Sequence, residues 1–363
     1  MLPDPKILSV TAKQFGLMVS SKNICFCISL FLMTLSLQAY EKQLTLSSFM
    51  DSNPRESIFK SEPTPGLKVK ALIRFNESQP SGQFYGSLLG QGLIEPALFL
   101  DSKIILNAEL GRQFKLHPRL SLNANVRTFQ KLYFYELQRS ARTSLSAYLS
   151  RSGSRSVNQE IGYTRADSRY EAETEFRYFD HELYARLSKS LNPKLQLEIK
   201  GVAGRIDYLD YPIKTIENDS LIFSNNINQQ DDSWLLGLHI THTGQLIWGV
   251  SVSYKDIRSN SFIDDAQIWG VKLYASSRIG ERLFAHVVLQ GMNKRYDHSK
   301  YISLNSYRDP EENIQNQVHI QVERMLSPEK VIYLQYSYFK NETVLNHWFY
   351  SKNLIETGLK FDL

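Results

Sequence analysis

Cysteine is the first scarcity. The 363-residue chain has two, Cys25 and Cys27, both inside the apolar run NICFCISLFLMTLSLQA, so everything after that run is cysteine-free and no disulfide can brace it. Long hydrophobic runs are scarce too, and a mean hydropathy of -0.32 excludes a bundle of membrane helices. Charge of one sign is not in excess: Lys+Arg is 42 against Asp+Glu 37, net +5, with no basic stripe, which excludes a nucleic-acid partner. The eight histidines are scattered and show no metal-ligand spacing, and no glycine-rich loop leads a strand into a helix, so neither a metal nor a cofactor is expected.

The single apolar run follows Lys22, ends on Ala39 and gives way to the polar YEKQ, the layout of a secretory leader over residues 1–39. A short core helix or a single membrane anchor would also account for it. Met1 and Met18 both fit as the start of translation. An exported chain without disulfides needs another source of rigidity, and a large hydrogen-bonded sheet supplies one.

What the sequence does contain is aromatics and alternation. Twenty Tyr and 19 Phe favour strands over helices. Residues 40–66 hold three prolines and no sustained period, and read as an amino-terminal periplasmic tail. From Leu67 a period of two sets in: Leu67, Val69, Ala71, Ile73 and Phe75 alternate with Lys68, Lys70, Leu72, Arg74 and Asn76. Tight polar connections recur near Pro118, Pro193, Gly244, Gly280 and Pro328, with a weaker one at Gly153. Longer segments without alternation, 77–101, 209–232 and 295–313, read as loops on the opposite side. The count comes to about fourteen strands over residues 67–363, or twelve without the Gly153 turn. Short turns on one side and long loops on the other are the habit of a transmembrane antiparallel β-barrel, an all-β fold.

The two faces differ. Leu246, Trp248, Val250, Val252 and Tyr254 alternate with Ile247, Gly249, Ser251, Ser253 and Lys255, and Leu195, Leu197 and Ile199 with Gln196, Glu198 and Lys200. A soluble β-sandwich would give the same alternation. Strands of about ten residues repeated without an intervening domain, and aromatics near strand ends (Trp234, Tyr254, Trp269, Tyr333, Trp348), favour a bilayer. The last strand is then expected to pair with the first, around Leu67–Asn76, because an open edge in hydrocarbon leaves amides unpaired.

The terminal ETGLKFDL resembles the carboxy-terminal assembly signal of bacterial outer-membrane barrels, with Glu356, Gly358, Phe361 and Leu363 in its places; Leu363 stands where that class most often has Phe. The resemblance implies the outer membrane, with its lipid and lipopolysaccharide and the barrel assembly machinery as partners. Residues 67–363 also resemble, more weakly, the fourteen-strand barrel half of the surface lipoprotein assembly modifiers, although 40–66 has no room for their helical repeats.

On the polar face, Lys68, Lys70, Arg74, Glu109, Arg127, Arg186, Glu198, Lys200, Lys255 and Lys272 are the candidate lumen-lining residues. They would bias a water-filled passage toward anions, or form salt-bridge ladders across it. A passive channel for a small solute is the leading expectation. A barrel that secretes or assembles a protein client, and a lipid or peptide hydrolase, are the alternatives. Asp180, His181 and Glu182, and Asp297, His298 and Ser299, supply catalytic residue types, but neighbours in a strand point to opposite faces, so neither triplet is a ready triad and no enzyme activity is expected.

Overall fold

The structure is a computed structural model, described here for residues 39–52, 63–95, 102–133, 139–153, 156–171, 176–217, 220–261, 265–296, 316–342 and 349–363. These residues form one sheet of sixteen antiparallel strands: β1 (Ala39–Asp51), β2 (Thr64–Gln79), β3 (Gly82–Ile94), β4 (Lys103–His117), β5 (Leu120–Tyr133), β6 (Arg139–Ser152), β7 (Val157–Glu171), β8 (Phe176–Asn192), β9 (Leu195–Glu217), β10 (Ser220–His242), β11 (Leu246–Ser259), β12 (Ala266–Arg278), β13 (Leu283–Tyr296), β14 (Asn316–Ser327), β15 (Lys330–Glu342) and β16 (Phe349–Asp362). Each pairs with its sequence neighbours, and β1 pairs with β16, so the sheet closes into an up-and-down barrel with no free edge. All six anticipated turns join hairpins, and a seventh lies at Pro80–Ser81.

The strand count corrects the expected fourteen, and with it the fourteen-strand likeness to the assembly modifiers. Both additional strands lie where the sequence read as irregular. The supposed tail, 40–66, holds β1, which is the true partner of the last strand: Gln43–Asp51 pairs in register with Asp362–Leu354, and Leu67–Asn76 belongs to the second strand instead. In β1 the alternation is present but disguised. Leu44, Leu46 and Met50 share the outer face, while the large apolar Phe49 sits on the inner one, buried over Gly66.

The other missed strand, β3, lies within the supposed loop 77–101 and reads GQFYGSLLGQGLI. Its glycines hid it. One of them, Gly86, lies under the ring of Phe75 on the neighbouring strand, where any Cβ would collide with that ring. A glycine that weakens a strand in isolation here accepts a cross-strand aromatic.

The segment 209–232 is likewise strand. β9 and β10 run for 23 residues each and meet at 218–219, whereas the other strands have 12 to 17. A membrane span takes only about 9–11 residues. Strand length in excess of a bilayer span is not held to one lipid-facing side, so the apolar–polar alternation is not required there and the sequence stops signalling a strand. The pairing shifts register around Asn228, opposite Pro212, which has no N–H to give the ladder. Of the segment 295–313, Arg295 and Tyr296 end β13, and 297–313 lies outside the described residues.

Both ends of the described chain lie on the short-turn side. The Leu363 amide donates to the Lys42 carbonyl at 2.8 Å and the Asp362 amide to the carbonyl of Glu329, in the β14–β15 turn, at 2.9 Å. Gly358 makes this seam tight: a Cβ there would stand 2.6 Å from Ser47 Cβ, 2.7 Å from the Leu46 carbonyl oxygen and 2.8 Å from Tyr333 Oη.

Two measurements follow. Refolded protein migrates faster unboiled than boiled in a denaturing gel, and deleting residues 40–51 abolishes the fast form, whereas a dispensable tail would leave it intact. Gly358→Val reduces the yield of the fast form, and an unchanged yield would refute the seam packing.

Candidate functional site, the lumen wall

Registered partners in an antiparallel sheet share a face, so one outward residue fixes its row. Lys68 and Lys70 alternate with the exposed Leu67 and Val69, Glu109 adjoins the exposed Leu110, Arg127 adjoins Val126, and Lys272 lies between Val271 and Leu273. The same parity turns Arg74, Arg186, Glu198, Lys200 and Lys255 inward. All ten residues named from the polar face therefore point into the barrel.

The structure joins them to acids and tyrosines that the polar-face reading did not name. At the seam, Lys68 forms an ion pair with Glu356, whose side chain is 1% exposed, and the Tyr333 hydroxyl donates to the same carboxylate. Glu356, named from the terminal motif as an assembly signal, is thus also the hub that ties β2, β15 and β16. Lys360 pairs with Glu323 and lies 5.0 Å over the Tyr333 ring. Lys70 and Lys360 flank Thr45 from the two sides of β1, so cations crowd at this level. Tyr333 faces inward and is buried, which removes it from the interfacial aromatics; Trp348 lies outside the described residues. Of the rest of the motif, Gly358 faces inward, whereas Phe361 and Leu363 share the outer face with the exposed Leu359.

Elsewhere the wall is laced in the same way. Arg74 meets Glu41 at 2.7 Å, and Arg186 meets Glu160 at 2.5 Å and Glu198 at 3.8 Å. Lys200 lies 5.5 Å over the Tyr184 ring, which packs against Tyr148 at 6.4 Å. Arg127 donates to Asn107 at 3.3 Å, and Glu109 accepts from Asn125 at 3.4 Å. The inward histidines are held by hydroxyls: His239 by Ser251 at 2.6 Å and Thr241 at 2.7 Å, His319 by Ser337 at 3.0 Å. Among the described residues no group of three or more His, Cys, Asp or Glu is placed to hold a metal ion.

Towards the long-loop end the wall is covered. Asp51, Lys103, Lys131, Ser168 and Asp231 are each at most 3% exposed, and Lys352 meets Asp51 at 2.7 Å. The hydrolase candidates separate as expected: Asp180 points inward to Arg142 at 3.1 Å, while His181 lies on the outer face beside Tyr163. Asp297, His298 and Ser299 lie outside the described residues.

The decisive feature is that the molecule is inside out. Among the described residues only Phe49, Phe75, Ala166, Tyr208, Ile257, Ala266 and Tyr333 are buried hydrophobics, while Leu183, Leu236, Val271 and Leu334 stand 46–58% exposed on the outer face. A soluble sandwich would bury those side chains between two sheets. A closed ring with apolar residues outside and charges inside is stable where its outside is lipid. This is a bacterial outer-membrane barrel.

No protein-family model matches the sequence, and no curated protein does. Among solved structures the chain is similar to OmpT, an outer membrane protein of Vibrio cholerae (9% identity, TM-score 0.49, covering 89% of this chain and 96% of that one). It is also similar to a bacterial polysaccharide outer membrane secretin (9%, 0.44, 89% and 98%) and to a mutant of the TodX monoaromatic hydrocarbon channel (10%, 0.40, 89% of each). Nothing about role follows from likenesses this slight, and the membrane assignment rests on the barrel's own two faces.

Glu356→Ala strands the Lys68 ammonium and the Tyr333 hydroxyl at a nearly closed position, which costs about 3–5 kcal/mol for a buried pair broken on one side. Chemical unfolding of the barrel in lipid vesicles reads this as an earlier midpoint. Adding Lys68→Met recovers most of the loss, and no recovery would show that the pair is not the cause.

Proposed function

We propose that the protein is a passive channel through which small hydrophilic solutes cross the outer membrane. The observation that carries this reading is the polar, ion-paired inner wall of a sixteen-strand ring, because barrels of that strand number enclose more space than their own wall side chains fill. Charged ladders suit such a passage: they line water while the outer face meets lipid. The covered wall near the long-loop end supports a constriction at that mouth. The supposed loops 77–101 and 209–232 are largely strand, so the constriction is not assigned to them.

Selectivity in this reading is mild. Basic residues outnumber acids among the ten wall residues first named, but Glu41, Glu160, Glu323 and Glu356 offset much of that excess. Of the ten, Lys70, Arg127, Lys200 and Lys272 make no ion pair with another described residue; Arg127 is tied to Asn107 and Lys200 to the Tyr184 ring, so Lys70 and Lys272 are the cations taken to act on a passing ion. Refolded protein in a planar bilayer is expected to conduct with a small preference for chloride over potassium. Changing both Lys70 and Lys272 to Glu reverses the sign of the reversal potential in a salt gradient. A barrel that shows the fast gel form but passes no current would defeat the channel reading.

A further inference from the structure

The outer face of β7–β11 departs from the rest of the wall. One unbroken row of registered partners runs Arg165, His181, Arg205, Asp232, Arg258 across five strands. The same row continues onto β6, β5 and β4 as Leu145, Val126 and Leu110. Towards the long-loop end the next row on this face is Asp167, Phe179, Asp207 and Gln230, and beyond it lie Arg169 and Arg177. On the opposite side lie Tyr163, Leu183, Ala203 and Trp234, and on β11 the row ends at Asp256, which is nearly closed off and held by Arg258 at 3.0 Å. Trp234 packs on Tyr254 at 5.0 Å and Tyr254 on Trp269 at 4.6 Å, with both tryptophans about half exposed, the pattern of an interfacial girdle. On β7–β10 the charged rows therefore begin where hydrocarbon ends, at headgroup level, and the acid one row deeper on β11, Asp256, is neutralised by Arg258. An outward Arg costs about 2–4 kcal/mol at the bilayer midplane and about 0–1 near the interface.

The arginines are held rather than splayed. The Phe179 ring takes the guanidinium groups of both Arg165, at 4.9 Å, and Arg177, at 5.0 Å. Arg177 grips Asp167 through two bonds of 3.0 and 2.7 Å, and Arg169 donates to the same carboxylate at 3.2 Å. Arg205 donates to Gln230 at 2.6 Å and to Asp207 at 3.3 Å, and lies 3.8 Å from Asp232. His181 sits between the Tyr163 hydroxyl at 2.6 Å and Asp207 at 3.8 Å. Arg165 is exposed and makes no ion pair with a described residue.

The geometry points to a docking site for a phosphorylated lipid of the outer leaflet, its phosphate on Arg165, His181 and Arg205 and its acyl chains along Tyr163, Leu183 and Ile161. Guanidinium forks match phosphate oxygens in pairs, and stacking on an aromatic ring fixes their planes beforehand. The acids within the cluster orient the forks and keep the patch from being a general anion sink. Arg295 on β13 and Lys340 on β15 also face outward near the long-loop end, but the arginines interlocked with acids and an aromatic ring lie together on β7–β11, which makes this one site and not a collar. The site is independent of whether the lumen conducts.

The test uses refolded full-length barrel in phosphatidylcholine vesicles, with and without diphosphoryl lipid A, read by the temperature at which the fast gel form is lost and by lipid retained on the purified barrel. Diphosphoryl lipid A is expected to raise that temperature, whereas its fully dephosphorylated form and inorganic phosphate at matched concentration are not. Arg165→Gln with Arg205→Gln weakens retention about tenfold or more, the size of a lost charged hydrogen bond, while conductance is unchanged. If that pair fails to fold, Arg165→Gln alone serves, since its side chain is exposed and unpaired. Equal stabilisation by the dephosphorylated lipid, stabilisation by inorganic phosphate alone, or undiminished retention by the variants would each overturn the site.

Discussion

Everything in this molecule follows from the cost of leaving a peptide group unpaired in hydrocarbon. Water is absent there, so each open N–H or carbonyl costs several kcal/mol, and a sheet can enter the bilayer only as a ring. That one requirement brings β1 against β16, places the described ends on the same side, and makes Gly358 a position where a methyl group would already be too large. It also explains how a barrel with no cysteine in any of its strands remains rigid. The sixteen-fold ladder of backbone hydrogen bonds does the work that disulfides do in smaller secreted domains.

Closure in turn inverts the usual division of polar and apolar. With lipid outside, the apolar half of each strand needs no second sheet, and the polar half is left to organise the interior. It does so by pairing. Lys68 with Glu356, Lys360 with Glu323 and Arg186 with Glu160 and Glu198 span neighbouring strands, and Tyr333 links the seam pair to the strand beside it. These contacts give the lumen its character: charged and close to balanced. The wall is uneven along the axis, covered near the long loops, and uneven around the circumference, where β9 and β10 rise beyond the bilayer beside a sector of outward arginines.

How much of this was legible in the residues depends on whether a strand had two different solvents to report. From Leu67 onward, where one face meets lipid and the other water, alternation located most strands, the six turns and all ten inward charges. Where the contrast vanished, the signal vanished. The outer halves of β9 and β10 exceed a bilayer span and read as loop, β3 is rich in glycine, with Gly86 accepting a neighbour's ring, and β1 hides Phe49 on the polar side. The partners of the inward cations were unreadable for another reason: Lys68 and Glu356 are 288 residues apart in sequence.

By itself, then, the sequence determined the class of fold, the side of the sheet that meets lipid and the segment that seals it, because a period of two is imposed locally on every strand by its surroundings. Only the tertiary structure decided how many strands close the ring, which strand receives the last one, which acids neutralise the inner cations, and that Arg165, His181 and Arg205 share one row on the outside. Those are matters of register between strands, and register is fixed by pairing across the sheet and not by any one strand's own residues.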